Sequence, residues 1–199
     1  MRGEWAIMNP PGHADLALDF LAVDERKSPY KDASLWRHIF GTLPVTATYA
    51  WNMPDAPLDG VVIAACDGMV DRERISLLRD LFRLLVCKPA SGAPFSAYGG
   101  NYVILKCGEA YPLFAHLRRG SVCVRVGDAV RAGDRLGTVG NSGNSLQPHL
   151  HFQVMSDPNP FPLFRNLVPF VLSSFRRYGA REFATCTNTA LKNGNHVHL

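Results

Sequence analysis

His149 and His151 are separated by one residue in the segment Gln147-Pro148-His149-Leu150-His151-Phe152-Gln153-Val154. The apolar and polar residues alternate there, so the segment is expected to be a strand. Residues i and i+2 of a strand leave on the same face. The two imidazoles would then stand about 7 Å apart at the backbone, from a rise of roughly 3.3 Å per residue. That spacing lets both rings bind one metal ion, or lets one bind it while the other reaches a ligand of that ion. A third histidine, His116, closes Tyr111-Pro112-Leu113-Phe114-Ala115-His116; alone it reads as a hydrogen-bonded histidine at a strand end. A fourth, His13, follows Asn9-Pro10-Pro11-Gly12 and precedes Asp15 and Asp19. Asp19 is the anomaly of its segment, an acid inside the apolar run at 16–23, costly to bury ionised unless a cation pairs with it. Two histidines, one carboxylate and an open position for water make a hydrolytic zinc site, because the ion lowers the water's pKa towards neutrality. The chain contains such a ligand set.

Several stretches follow one another in a specific order: Gly100-Asn101-Tyr102-Val103-Ile104-Leu105, Phe114-Ala115-His116-Leu117, Val126-Gly127-Asp128 through Gly133-Asp134, Gly140-Asn141-Ser142-Gly143-Asn144-Ser145 and Pro148-His149-Leu150-His151-Phe152. This order and spacing resembles the lysostaphin/LytM-type zinc metallopeptidases. The match is strong over residues 99–155 and weaker over 16–20 and 45–62. The resemblance implies a mainly β fold, a two-sheet antiparallel sandwich with zinc in a groove. It also implies hydrolysis of peptide bonds in bacterial peptidoglycan cross-bridges or stem peptides. Carried over residue by residue, His151, His13 and Asp19 would be the zinc ligands, with His116 and His149 the catalytic pair. The family commonly leaves three residues between its first histidine and its aspartate, but position 15 is Asp and the upstream histidine is His13. Six residues of straight strand span about 20 Å, so the chain must bend between His13 and Ala17. Asp15 is the rival carboxylate, and Cys107 stands where relatives often carry His.

Elements must hold these residues in place. Strands are expected over 45–51, 60–66, 101–107, 111–116, 121–126, 135–139, 150–154 and 167–175, each bounded by Gly, Pro, Asn or Asp. Ile75, Leu78, Leu81, Phe82 and Leu85 recur at helical spacing after Asp71, a plausible N-cap, predicting one inserted amphipathic helix at about 71–88. It reads as a packing helix, with a membrane-surface or partner helix as the rival reading. The Gly-Asp turns of 126–140 look like the hairpin of lipoyl and biotinyl carrier domains, yet no lysine lies between Lys106 and Lys192 to be modified. The tail at 181–199 is expected to fray, although it ends in His196-Val197-His198. Residues 1–180 are then read as one domain.

Composition agrees with a loop-rich globular protein: 199 residues, 47% hydrophobic, 19% charged, with 17 Gly and 14 Pro. The net charge of +4 suits an anionic polymer, and scattered arginines without interleaved aromatics argue against nucleic-acid binding. No apolar run approaches the roughly 18 residues of a membrane span. Residues 1–8 are too short and weakly apolar for a signal peptide, so export is expected to need a leader they do not supply. The five cysteines form no CxxC pair and read as buried free thiols. The expected protein is a monomeric envelope enzyme with Zn2+ and a peptidoglycan peptide as substrate. Two rivals are a non-catalytic LytM-like module that binds and activates wall hydrolases, and a cytoplasmic metallohydrolase.

Overall fold

Segments in which apolar residues alternate with polar ones become strands, because one face of each can be buried against the core. The computed structural model describes residues 3–9, 14–24, 26–31, 35–49, 55–86, 89–179 and 183–199. The strands are β1 (Glu4–Met8), β2 (Leu18–Ala22), β3 (Leu43–Pro44), β4 (Gly60–Cys66), β5 (Arg74–Ile75), β6 (Asn101–Lys106), β7 (Tyr111–Leu117), β8 (Ala129–Val130), β9 (Leu150–Met155), β10 (Leu172–Tyr178), β11 (Phe183–Thr189) and β12 (His196–His198). The helices are α1 (Leu35–Phe40), α2 (Leu77–Val86) and α3 (Ser96–Gly99). The mainly β, antiparallel architecture expected from the sequence is the one formed. Ten strands join in the order β11-β10-β12-β1-β2-β9-β7-β6-β4-β8, and β3 and β5 form a separate two-stranded ribbon.

The main core lies on one face of the central strands, and a smaller cluster of Phe95, Ile104, Leu113, Ala115 and Met155 lies on the other. Leu18 and Phe20 of β2, Leu150, Phe152 and Val154 of β9, and Phe114 of β7 pack in the main core with Trp5 and Val103. Phe20 meets Trp5 and Phe152 edge-on, each at 6.2 Å between centroids. Period-2 alternation sends Asp19, His151 and Gln153 to the opposite face, where all three are nonetheless buried.

Several expected elements take another form. Residues 45–47 are a single 3-10 turn, and Trp51 lies outside the described residues. Residues 121–126 and 135–139 form no strand. Asp128 accepts the Arg125 N–H at 2.7 Å and Asp134 accepts the Arg131 N–H at 2.8 Å. These aspartate turns interrupt the ladder every few residues. The strand expected at 167–175 begins only at Leu172. The inserted helix starts six residues after Asp71, whose carboxylate instead accepts the Arg119 and Asn141 N–H groups, each at 2.7 Å. Arg74–Ile75 pairs with Leu43–Pro44, which delays the helix.

The tail does not fray over its described residues. β11 pairs with β10, and β12 pairs with both β1 and β10. His196 is buried and bonded to Glu4 at 3.0 Å, so the terminal His-Val-His belongs to sheet packing. Cys66, Cys107 and Cys186 are free but only half-buried, and Cys123 is exposed, which corrects the expectation of buried thiols; Cys87 lies outside the described residues.

Candidate active site

The register of the sheet creates the site. β9 lies between β2 and β7, and Asp19 of β2 is the direct antiparallel partner of His151 of β9. Directly opposed residues point the same way. Asp19 Oδ1 therefore reaches His151 Nδ1 at 2.9 Å, and Asp19 Oδ2 lies 3.4 Å from His149 Nε2. Asp15, by contrast, is exposed in a turn. His13 lies outside the described residues.

His116 arrives by a break in alternation. A regular β7 would put Phe114 and His116 on one face, yet Phe114 is in the core and His116 lines the cleft beside Ala115. Two residues of β7, Ala115 and His116, face one residue of β6, because the register passes from Val103–Phe114 to Asn101–Leu117. His116 has φ 59°, left-handed for a residue with a side chain. This bulge re-aims the imidazole and returns Leu117 to the core.

The loop after Val139 holds the other imidazole edges. His116 Nδ1–H donates to the Ser142 carbonyl at 2.9 Å, and His149 Nδ1–H donates to the Gln147 carbonyl at 2.8 Å. Carbonyls only accept, so Nδ1 of each ring is its N–H donor and Nε2 is the nitrogen left facing the cleft. The Ser142 hydroxyl accepts the Asn101 N–H at 2.9 Å and donates to the Leu117 carbonyl at 2.7 Å. Gly100 and Gly143, both left-handed, cross here so tightly that a Cβ on Gly143 would strike the Gly100 nitrogen and the Tyr98 carbonyl. Gly143→Ala is therefore expected to cost about 1–3 kcal/mol, read as a lower melting temperature, because both strain and collision oppose it.

Hydrogen bonding and burial set the charge state of the imidazoles. His151 has partners at both ring nitrogens, Asp19 Oδ1 at 2.9 Å and the Gln153 side-chain amide at 3.0 Å. The ring is thus held between a carboxylate and an amide, with both nitrogens engaged. Burial lowers the His151 pKa, but the Asp19 carboxylate and Gln153 outweigh it and hold it above the ordinary value. His116 is pushed well below its ordinary value, first by burial and then by the positive charge of His149 and His151. It stays neutral and able to accept a proton. The oxygen and nitrogen donors of Asp19 and His151 fit zinc chemically. Among the described residues no three His, Cys, Asp or Glu side chains gather closely enough to hold a metal by themselves.

These groups floor a cleft of about 420 Å³. Its walls are apolar: Leu21, Leu81 of α2, Phe95, Tyr98, Leu146 and Phe164. The structure thus brings together Asp19, His116, His149 and His151. Sequence reading passed over Gln153, although it sits two residues beyond His151 on the same face, the rule that links His149 to His151. It also passed over Ser142, whose part depends on a crossing of distant loops that leaves no local signal.

Comparison with known proteins matches this architecture to a described family. Residues 55–162, more than half of the chain, match the model of Peptidase family M23. Over 76 residues the chain is 32% identical to the peptidoglycan DD-endopeptidase ShyA of Vibrio cholerae, covering 38% of this chain and 17% of that protein. Over 101 residues it is 30% identical to the glycyl-glycine endopeptidase ALE-1 of Staphylococcus capitis, covering 51% of this chain and 27% of that protein. The chain therefore matches between 17% and 27% of the length of these relatives. The solved catalytic domain of lysostaphin from Staphylococcus simulans is 17% identical, with a TM-score of 0.42, covering 82% of this chain and 92% of that one. With its family motif spanning β4 to β9 and the loops that hold His116 and His149, the chain belongs to Peptidase family M23.

Proposed function

We propose that this chain is a zinc endopeptidase that hydrolyses peptide bonds of bacterial peptidoglycan, acting in the cell envelope, its single catalytic domain taking in the C-terminal strands as well as residues 1–180. The observation that carries the reading is the convergence of two imidazoles on one buried carboxylate, with His151 held between that carboxylate and the Gln153 amide. Asp19 and His151, joined by His13, would hold the ion. Zinc supplies Lewis acidity there, lowering the pKa of a water and polarising the scissile carbonyl. His116, kept neutral and oriented by the Ser142 carbonyl, accepts the proton of the attacking water through Nε2. His149, 4.6 Å from His116 between ring centroids, faces the developing oxyanion and returns a proton to the leaving amine. The apolar walls exclude water and grip the substrate backbone.

The deciding experiment is zinc analysis of the purified chain, together with release of soluble peptides from isolated peptidoglycan before and after chelation. About one zinc per chain, with release lost on chelation and restored by zinc, is the expected result. A metal-free, inactive chain after zinc supplementation would favour the regulatory module instead. Gln153→Leu removes the amide that orients His151 and is expected to weaken zinc affinity roughly 10–100-fold, measured by competition with a chromophoric chelator. Gln153→Glu, which keeps a polar partner there, should retain zinc.

A further inference from the structure

We propose that α1 and α2 form a docking surface for an anionic phospholipid bilayer. The two helices pack against each other. His38 of α1 is buried against Tyr30, and the nearby Asp80 of α2, also buried, raises the His38 pKa against the lowering effect of burial. Asp80 is further tied to Arg72 at 2.6 Å. Two residues round a helix turn about 200°, so Trp36 and Phe40 stand about 160° from His38, and Leu78 and Phe82 stand the same angle from Asp80. A helix of a water-soluble domain normally buries its apolar stripe. Here, among the described side chains, large apolar residues face outward: Trp36 is 69% exposed, Phe40 70%, Phe82 65% and Val86 62%. Trp36 and Phe40 stack at 5.6 Å, presenting one flat aromatic surface.

Charge selects the occupant. The only acid on either helix is Asp80, which is buried and paired. Arg79 is exposed beside Phe82 and Val86, whereas Arg83, one turn further, is half-buried and donates to the Ser145 carbonyl at 3.3 Å. An outward face of Trp, Phe, Leu and Val bordered by arginine and free of exposed acid is the signature of a helix lying in a bilayer interface. Among the described residues no helix is long and apolar enough to cross a membrane, so contact would be peripheral. Leu81 of α2 also lines the cleft, so docking would set the cleft beside the bilayer.

Co-sedimentation of the whole chain with phosphatidylglycerol-containing vesicles, and with pure phosphatidylcholine vesicles, tests this without any appeal to catalysis. The chain is expected to pellet with the anionic vesicles at low ionic strength, to release as salt rises, and to remain in solution with phosphatidylcholine. Trp36→Ser combined with Phe82→Ser should reduce the bound fraction roughly tenfold or more. Arg79→Glu should weaken binding to the anionic vesicles alone. These side chains are exposed, so unchanged circular dichroism is expected to show that the variants fold. A wild-type chain that stays in solution with anionic vesicles overturns the proposal. So does a concentration-dependent dimer, seen by light scattering and dissolved by the same double substitution, since the occupant is then a second copy.

Discussion

Asp19→Ala is expected to abolish both zinc binding and hydrolysis, because this one buried carboxylate faces two imidazoles, at 2.9 and 3.4 Å. Without it the pocket presents only neutral nitrogen donors to a divalent ion, and several kcal/mol of transition-state stabilisation go with the metal. The rate of peptide release should fall by about 10³ or more. Asp19→Asn keeps the shape and tests the charge alone; retention of zinc by that variant would refute the assignment. A second signature appears in the chelated protein. His151 titrates above its ordinary value when folded, so its partnership with Asp19 adds stability fully below about pH 6.5 and loses it as pH rises through the raised value. The melting-temperature gap between wild type and Asp19→Asn, both metal-free, should therefore be wider at pH 5 than at pH 8.

His149→Ala should separate binding from chemistry. The ring is fixed by the Gln147 carbonyl at 2.8 Å and the Ser145 hydroxyl at 3.2 Å, which leave Nε2 turned towards the cleft. Loss of a positioned proton donor lowers turnover by roughly 10²–10⁴ while zinc content stays unchanged. Undiminished turnover would remove His149 from the mechanism. Loss of zinc together with turnover would make it a ligand through its 3.4 Å approach to Asp19.

Much of this site was legible because strands have a two-residue period. His149, His151 and the misplaced acid Asp19 stand out from alternation alone, and Gln153 follows by the same rule. The β character of the chain was legible for the same reason. Less legible was the inserted helix: its periodicity was real, but periodicity says only that one face is apolar, not that this face points inward. Asp71 looked like a cap, yet its carboxylate is taken by N–H groups from Arg119 and Asn141, which lie 48 and 70 residues away. The tail read as frayed from its polar composition, and pairing with β1 at the far end of the chain reversed that.

By itself the sequence determined residue types, their period and the order of the motifs, and hence an antiparallel β protein with clustered histidines and a peptidase-like pattern. Tertiary structure decided which carboxylate joins them. Asp19 rather than Asp15 lies opposite His151, and only strand pairing across 132 residues makes that choice. Tertiary structure also decided the aim of His116, since a bulge arises from the register between two strands and not from either one. Local sequence governs torsions and faces; contacts between distant segments depend on how the whole chain packs.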